Sequence, residues 1–255
     1  MRARQFADAE RLAADVLKTS PADGAAAAIL AHSVLAQNRP RDAVAPLEKA
    51  LRGKSDPNLE TLLGAALGRA SRREAAIDQL RRTAARRPAH LPAFQELAGQ
   101  LAAAERLGEA IAVIESAVAL APDVVDLQLD LARLHLHTTD RSRARAILSQ
   151  AREAAPSRTD ILTALARVLL LDGDYAGAID AYRHALAYRP DDALTRADLA
   201  TCLLEMGDRD AGEAALRAAF RSGPQMLGRA THALAASSHG RFFLRPSAAV
   251  KFLQG

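Results

Sequence analysis

The side chains best able to do chemistry in this 255-residue chain are seven histidines and one cysteine. The histidines are His32, His90, His135, His137, His184, His232 and His239. Two helical ligands of one ion must stand three or four residues apart to share a face. His135 and His137 are two apart, so they point to different sides and do not share a metal. No Cys-x-x-Cys, His-Glu-x-x-His, P-loop or Gly-x-Gly-x-x-Gly stands in a fitting context. His239-Gly240 reads as a turn and not as a nucleophile elbow. The expectation is a chain without catalytic residues, metal ligands or a cofactor site, and so not an enzyme, although a catalytic domain outside this segment is compatible with it. Cys202 stands alone, which excludes an internal disulfide and fits a reducing compartment. It reads as a small apolar filler in a helix, and a cytoplasmic location is expected.

Charge offers a second kind of chemistry. The net charge is +4 and the pI is near 9.6. Only four of the 34 basic residues are lysine, and arginine does not deprotonate, so the pI overstates a small excess. The densest basic stretch is "RASRREAAIDQLRRTAARRP", Arg69–Pro88. A solvated outer face explains it, with an acidic or phosphate-rich partner as the alternative. It lacks the interleaved aromatics on which single-stranded nucleic acid stacks, so no nucleic acid partner is expected. No apolar stretch reaches the length of a membrane span. "AAAAILAHSVLA", Ala25–Ala36, follows acidic residues and lacks the basic front of a signal peptide.

The elements that would position any site follow from a repeat. Pro88, Pro122, Pro156, Pro190 and Pro224 are each 34 residues apart. Between them the same pattern returns. In Thr159–Asp192, Leu162, Leu165, Ala166 and Leu169 share one helical face, Gly173 breaks the helix, and Tyr175, Ala178, Tyr182 and Ala185 share a face of a second helix. Pro190 ends the unit, because proline lacks the N–H and its ring clashes with the preceding turn. Leu97, Ala98 and Leu101, then Ala110, Ile114 and Ala117, repeat the pattern two units earlier. The departures are Glu60, Gln128 and Arg196 where a large apolar residue is expected, Gly212 for a packing alanine, and His135 for Tyr or Leu.

This pattern resembles the tetratricopeptide repeat family, whose units carry Leu-Gly/Ala in the first helix, Ala, Phe/Tyr and Ala in the second, and a closing proline. The resemblance covers about four-fifths of the chain. It implies an all-α, right-handed superhelical solenoid of helix-turn-helix repeats, in which each hairpin is stable only against its neighbours. Six units are expected at 24–56, 57–90, 91–124, 125–158, 159–192 and 193–226. Residues 1–23 align with a second helix, Phe6 on Tyr175 and Pro21 on Pro190, so they read as an incomplete first repeat or a lone cap. Residues 227–255 read as a capping helix and an aromatic tail. Phe242, Phe243 and Phe252 in that tail cover the last helix face or dock a partner.

The resemblance also implies that first helices line a concave groove. The groove stripe takes unit positions two, six, nine and thirteen, with five and twelve beside them. It reads His32 and Leu35; Asn58, Thr61 and Arg69; Gln95 and Glu96; Asp126, Asp130, Arg133 and His137; Asp160, Thr163 and Arg167; and Asp198, Thr201 and Glu205. This face is polar, mixed in sign and short of aromatics. The Lys/Asn/Arg set with which some relatives clamp a peptide carboxylate is not present in register. The expected function is a protein–protein interaction scaffold that holds a protein or peptide of alternating charge in the groove. The abundance of Arg, Ala, Gly and Pro, all with GC-rich codons, suggests a bacterial gene. The alternatives are a regulatory or targeting module of an enzyme, and a homo-oligomer assembled through the array ends.

Overall fold

The structure, a computed structural model, describes residues 2–243 and 245–254. Among them are fifteen α-helices, one 3-10 turn and no strand. The fold is an all-α solenoid of helical hairpins. The chain divides into two compact units, Met1–Asp130 and Leu131–Gly255.

The N-terminal unit holds α1 (Arg2–Thr19), α2 (Gly24–Ala36), α3 (Arg41–Ala50), α4 (Pro57–Arg69), α5 (Arg73–Ala84), α6 (Leu91–Ala103), α7 (Leu107–Leu120) and the start of α8 (Val125–His137). Successive helices pack as antiparallel neighbours, α2 on α3, α4 on α5 and α6 on α7. Its core is built from small and branched side chains: Ala27, Ala31, Val34, Ala43, Leu47, Leu63, Leu67 and Ala76 are buried. At Gly64 an added Cβ would come within 2.6 Å of the Leu80 side chain, so glycine lets α4 and α5 approach closely.

The C-terminal unit holds the rest of α8, then α9 (Arg141–Ala154), α10 (Thr159–Leu171), α11 (Tyr175–Tyr188), α12 (Ala193–Glu205), α13 (Arg209–Arg221), a 3-10 turn at Pro224–Met226, α14 (Leu227–Ala236) and α15 (Pro246–Gln254). Leu162, Leu165, Ala166 and Leu169 are buried, as are Ala178, Tyr182 and Ala185. Pro224 opens the 3-10 turn that leads into α14, so here the proline introduces a helix as well as following one. Each Leu-sized side chain removed from water contributes on the order of 1.5–3 kcal/mol, which is how hairpins too small to fold alone become stable together.

The turns inside the hairpins repeat more strictly than the side chains do. Ser71, Glu105, Thr139, Gly173 and Gly207 all lie in the left-handed region, with φ of 65°, 60°, 61°, 79° and 83°. They are 34 residues apart. The amide of the next residue donates back to a carbonyl five positions upstream: Arg72 to Leu67 at 2.9 Å, Arg106 to Leu101 at 2.9 Å, Asp140 to His135 at 2.8 Å, Asp174 to Leu169 at 2.9 Å and Asp208 to Leu203 at 2.9 Å. This is the helix stop in which one left-handed residue lets the amide beyond it satisfy an orphan carbonyl. In the C-terminal unit the residue after the turn also starts the second helix. Asp140, Asp174 and Asp208 accept from the amides of Arg143, Gly177 and Ala211.

The departures from the repeat are absorbed by polar contacts. Gln128 donates to the Pro122 carbonyl at 2.9 Å, and Arg196 donates to the Pro190 carbonyl. Each reaches back to the proline that precedes its helix. Glu60 is buried, and its carboxylate receives Arg86 through Nε at 2.7 Å and Nη2 at 2.6 Å, with the Thr83 hydroxyl at 3.1 Å. Arg86 of the basic stretch is therefore not simply solvated. Arg81 also leaves that description, since it meets Glu109 of α7 at 2.7 Å. Gly212 permits contact, because a Cβ there would come within 2.8 Å of the Leu204 side chain.

Candidate functional site

The stripe residues of the first helices fall into two groups, one in each unit. In the N-terminal unit His32, Asn58, Arg69 and Asp126 are exposed, while Thr61, Gln95 and Asp130 are half-buried. Thr61 turns its hydroxyl to the Pro57 carbonyl at 2.7 Å, one turn back on its own helix. Gln95 of α6 donates to the Asp130 carboxylate of α8 at 2.7 Å, a side-chain bridge between successive first helices. Asp126 and Asp130 are each engaged by neighbouring groups.

In the C-terminal unit Arg133, His137 and Arg167 are exposed, and Asp160, Thr163, Asp198, Thr201 and Glu205 are half-buried. Arg133 is engaged by its neighbours. Asp160 is held by Arg158 at 2.5 and 3.1 Å, and the Arg158 hydrogen bonds keep its carboxyl below the usual carboxylate range. Thr163 and Thr201 donate to the carbonyls of Asp160 and Ala197, at 3.1 and 3.2 Å. Glu205 accepts the amide and hydroxyl of Ser238, at 3.2 and 2.6 Å.

Asp198 differs from the other carboxylates of the stripe. Burial pushes its carboxyl above the usual range, and the Arg229 hydrogen bond, at 3.0 Å through Nε, only partly opposes that. The charges of Arg229 and Arg167 both bear on it. Nearby lie buried Tyr182, whose hydroxyl burial pushes up, and buried Cys202, whose thiol is pushed up to about 12 by burial and by the Asp198 charge. A thiol so shifted stays protonated at neutral pH and is a poor nucleophile. The site is thus a half-buried carboxylate that accepts from Arg229 and feels the charge of Arg167. It is suited to receiving a cation or a hydrogen-bond donor and not to covalent chemistry. Among the described residues no group of histidine, cysteine and acidic side chains could hold a metal ion, and no helix is long and apolar enough to cross a membrane.

The tail folds back on its own unit. α15 packs against α13, and the Phe243 and Phe252 rings lie 5.3 Å apart, centre to centre. Phe252 carries Arg217 over its face at 4.4 Å and Arg241 at 5.2 Å. Phe243 and Phe252 pack against the cluster of Leu204, Leu216, Leu234 and Leu253, whereas Phe242 is 75% exposed. Glu213, buried on α13, fastens this arrangement by accepting Arg209 at 3.0 Å, Arg217 at 3.4 Å and Arg241 at 2.5 Å. Neither Arg229 nor Glu213 stands out in the sequence. The one hint of Glu213 is an acidic residue beside Gly212 on a helix face otherwise built from small apolar residues.

The profile described as "Tetratricopeptide repeat" matches residues 101–168 and 169–236, and a second profile of the same description matches residues 1–59. No curated protein matches the chain. Among solved structures, that of TTC0263, described as a thermophilic TPR protein in Thermus thermophilus, is 25% identical with a TM-score of 0.55, over 69% of this chain and 96% of that one. "Crystal structure of MamA" shares 16% identity with a TM-score of 0.58, over 65% of this chain and 97% of that one. "MamA MSR-1 C2" shares 18% with a TM-score of 0.54, over 66% and 97%. The helical hairpins, their strictly spaced left-handed turns and the profile matches over more than half its length agree: this chain belongs to the tetratricopeptide repeat family.

Proposed function

We propose that the chain is an interaction scaffold that holds a polypeptide of alternating charge against the first-helix stripes of its hairpins, with 24–56, 57–90, 91–124, 125–158, 159–192 and 193–226 as the repeating units. Tetratricopeptide repeats are in general non-catalytic modules that hold other proteins, which supports the broad reading. The finer reading rests on Asp198. A carboxylate that burial leaves under-compensated gains from a further cation or donor, and shifted groups of this kind gather where ligands bind. Exposed Arg167 on the neighbouring first helix offers the opposite charge to the same ligand, so neighbouring lysine and glutamate side chains of an extended peptide find complementary partners. Arg133 and His137 extend this stripe within the C-terminal unit. His32, Asn58, Thr61, Arg69, Gln95, Asp126 and Asp130 form its counterpart in the N-terminal unit.

The test is capture of a partner from an extract of the source cell, followed by titration of the purified partner against wild type, Asp198→Asn, and Arg133→Glu with Arg167→Glu. The double charge reversal is expected to weaken binding about tenfold or more, equivalent to ~1.4 kcal/mol, with an unchanged thermal melt. A partner bound equally by all three proteins would remove the stripe from the function.

A further inference from the structure

Two cavities of the molecule occupy the same place in the repeat, and their linings differ. In the N-terminal unit a cavity of about 620 Å³ has Phe94 and Leu97 of α6 as its floor. Its walls are Ala84 and Ala85 at the end of α5, and Ala112, Ser116 and Leu120 along α7. In the C-terminal unit, 68 residues further on, a cavity of about 500 Å³ has Leu162 in the place of Phe94. There Arg152 and Glu153 replace Ala84 and Ala85, and His184 and Tyr188 replace Ser116 and Leu120. The first cavity is thus an open apolar trough where the second is rimmed by charged and bulky groups. None of its lining residues belongs to the first-helix stripe. At other hairpins the residue equivalent to Phe94 is Glu60, Gln128 or Arg196, each spent on a polar contact.

We infer that the trough over Phe94 is a second docking surface, for an acidic amphipathic helix of a partner protein. Apolar walls and floor ask for an apolar helical face, and Leu120 at the rim is 51% exposed. Charge selects the acid. Arg87 lines the trough and, among the described residues, hydrogen-bonds only to the backbone carbonyls of Ala85 and Arg86, at 3.5 and 2.9 Å. Arg82, three residues before Ala85 on α5, bonds only to Gln79 at 2.8 Å. Neither meets a carboxylate among the described residues, whereas their neighbours Arg81 and Arg86 are paired with Glu109 and Glu60. Exposed Glu115 on α7 precedes the lining residue Ser116 and is one acid against the two arginines. Carboxylates flanking the apolar face of a bound helix would neutralise Arg82 and Arg87.

The test uses two labelled helical peptides with the same leucine stripe, one flanked by glutamates and one by lysines, read by fluorescence anisotropy. The acidic peptide should bind at least tenfold tighter than the basic one. Ser116→Trp, on the exposed wall, should fill the trough and weaken the acidic peptide at least tenfold. His184→Trp, its counterpart in the C-terminal unit, should leave binding unchanged. Arg82→Glu with Arg87→Glu should reverse the preference, with melts confirming that each variant is folded. No binding, equal binding of both peptides, or binding indifferent to Ser116→Trp would overturn the proposal. So would a wild-type dimer that Ser116→Trp dissolves, since that assigns the trough to a second copy of the chain.

Discussion

Asp198 and Glu213 sit in the same unit, on neighbouring helices of one hairpin, each withdrawn from water and each facing arginine. Glu213 receives three guanidinium groups, from Arg209, Arg217 and Arg241. Burial pushes its carboxyl upward, but the hydrogen bonds from Arg241 and Arg209 outweigh that and leave it below its ordinary value near 4.5. Among the described residues Asp198 has one direct partner, Arg229, and there burial wins, leaving the carboxyl above its ordinary value near 3.8. Desolvation opposes both charges, and the number and geometry of the donors decides the outcome. The tail clasp at Glu213 is therefore electrostatically complete. At Asp198 the compensation is only partial, and that difference is what the proposed stripe rests on.

The strongest way to break that contrast is Glu213→Gln. The substitution keeps shape but leaves three guanidinium groups around a neutral amide. It should cost on the order of 2–3 kcal/mol, as for lost hydrogen bonds to a charged group in a buried setting. Because Arg241 belongs to the tail, the loss should concentrate there. Trypsin should cut after Arg241 and Lys251 faster than in wild type, while the α9–α11 region stays protected. Chemical denaturation and timed proteolysis together check this. A variant as stable and as resistant as wild type would mean that the Phe243–Phe252 packing alone holds the tail.

Much of the fold was legible because its signals are local. The 34-residue spacing of prolines and the apolar faces of Leu162–Leu169 and Tyr175–Ala185 follow from short stretches of chain, and the structure buries most of those faces. The turn was half legible. Gly173 announces a left-handed residue, but Ser71, Glu105 and Thr139 take the same conformation without announcing it. Their register, 34 residues from one another, was the available clue. The charge partners were not legible at all. Glu60 stood out as a departure, yet its partner Arg86 is 26 residues away, and Arg229 is 31 residues from Asp198. Such pairs meet only when helices stack, and nothing in the spacing of either residue names the other. The trough over Phe94 was hidden for the same reason, since its walls come from three helices and its emptiness depends on small residues at the right places on two of them.

Acid sharpens the contrast, because the two carboxylates carry opposite linkage. Glu213 is depressed in the folded state. Its contribution is present above its ordinary value near 4.5 and is lost as pH falls through the lower folded value. Asp198 is raised, so its contribution is largest below its ordinary value near 3.8 and is lost as pH rises through the folded value. The stability gap between wild type and Glu213→Gln should therefore close as the buffer is taken below about pH 4. Over the same range the gap between wild type and Asp198→Asn should shrink from the other side. Urea midpoints across a pH series measure both. Two gaps that move in the same direction would show that Arg229 compensates Asp198 as fully as three arginines compensate Glu213.

The smallest effect is the most diagnostic. Asp198→Asn at neutral pH removes a charge that burial disfavours and keeps an acceptor for Arg229. The freed guanidinium is 48% exposed in wild type and returns to water at little cost. The variant should be as stable as wild type or more stable, by less than about 1 kcal/mol. Its expected loss is in binding: a partner cation that completes the Asp198 site has nothing to complete in the amide. A residue that lowers stability but raises affinity has been kept for what it binds. Glu213 should show the reverse pattern, a large loss of stability with partner binding intact on the stripe of α10. Melts and titrations of the two variants side by side separate clasp from stripe. A destabilised Asp198→Asn would return Asp198 to the ordinary work of holding α12 to α14.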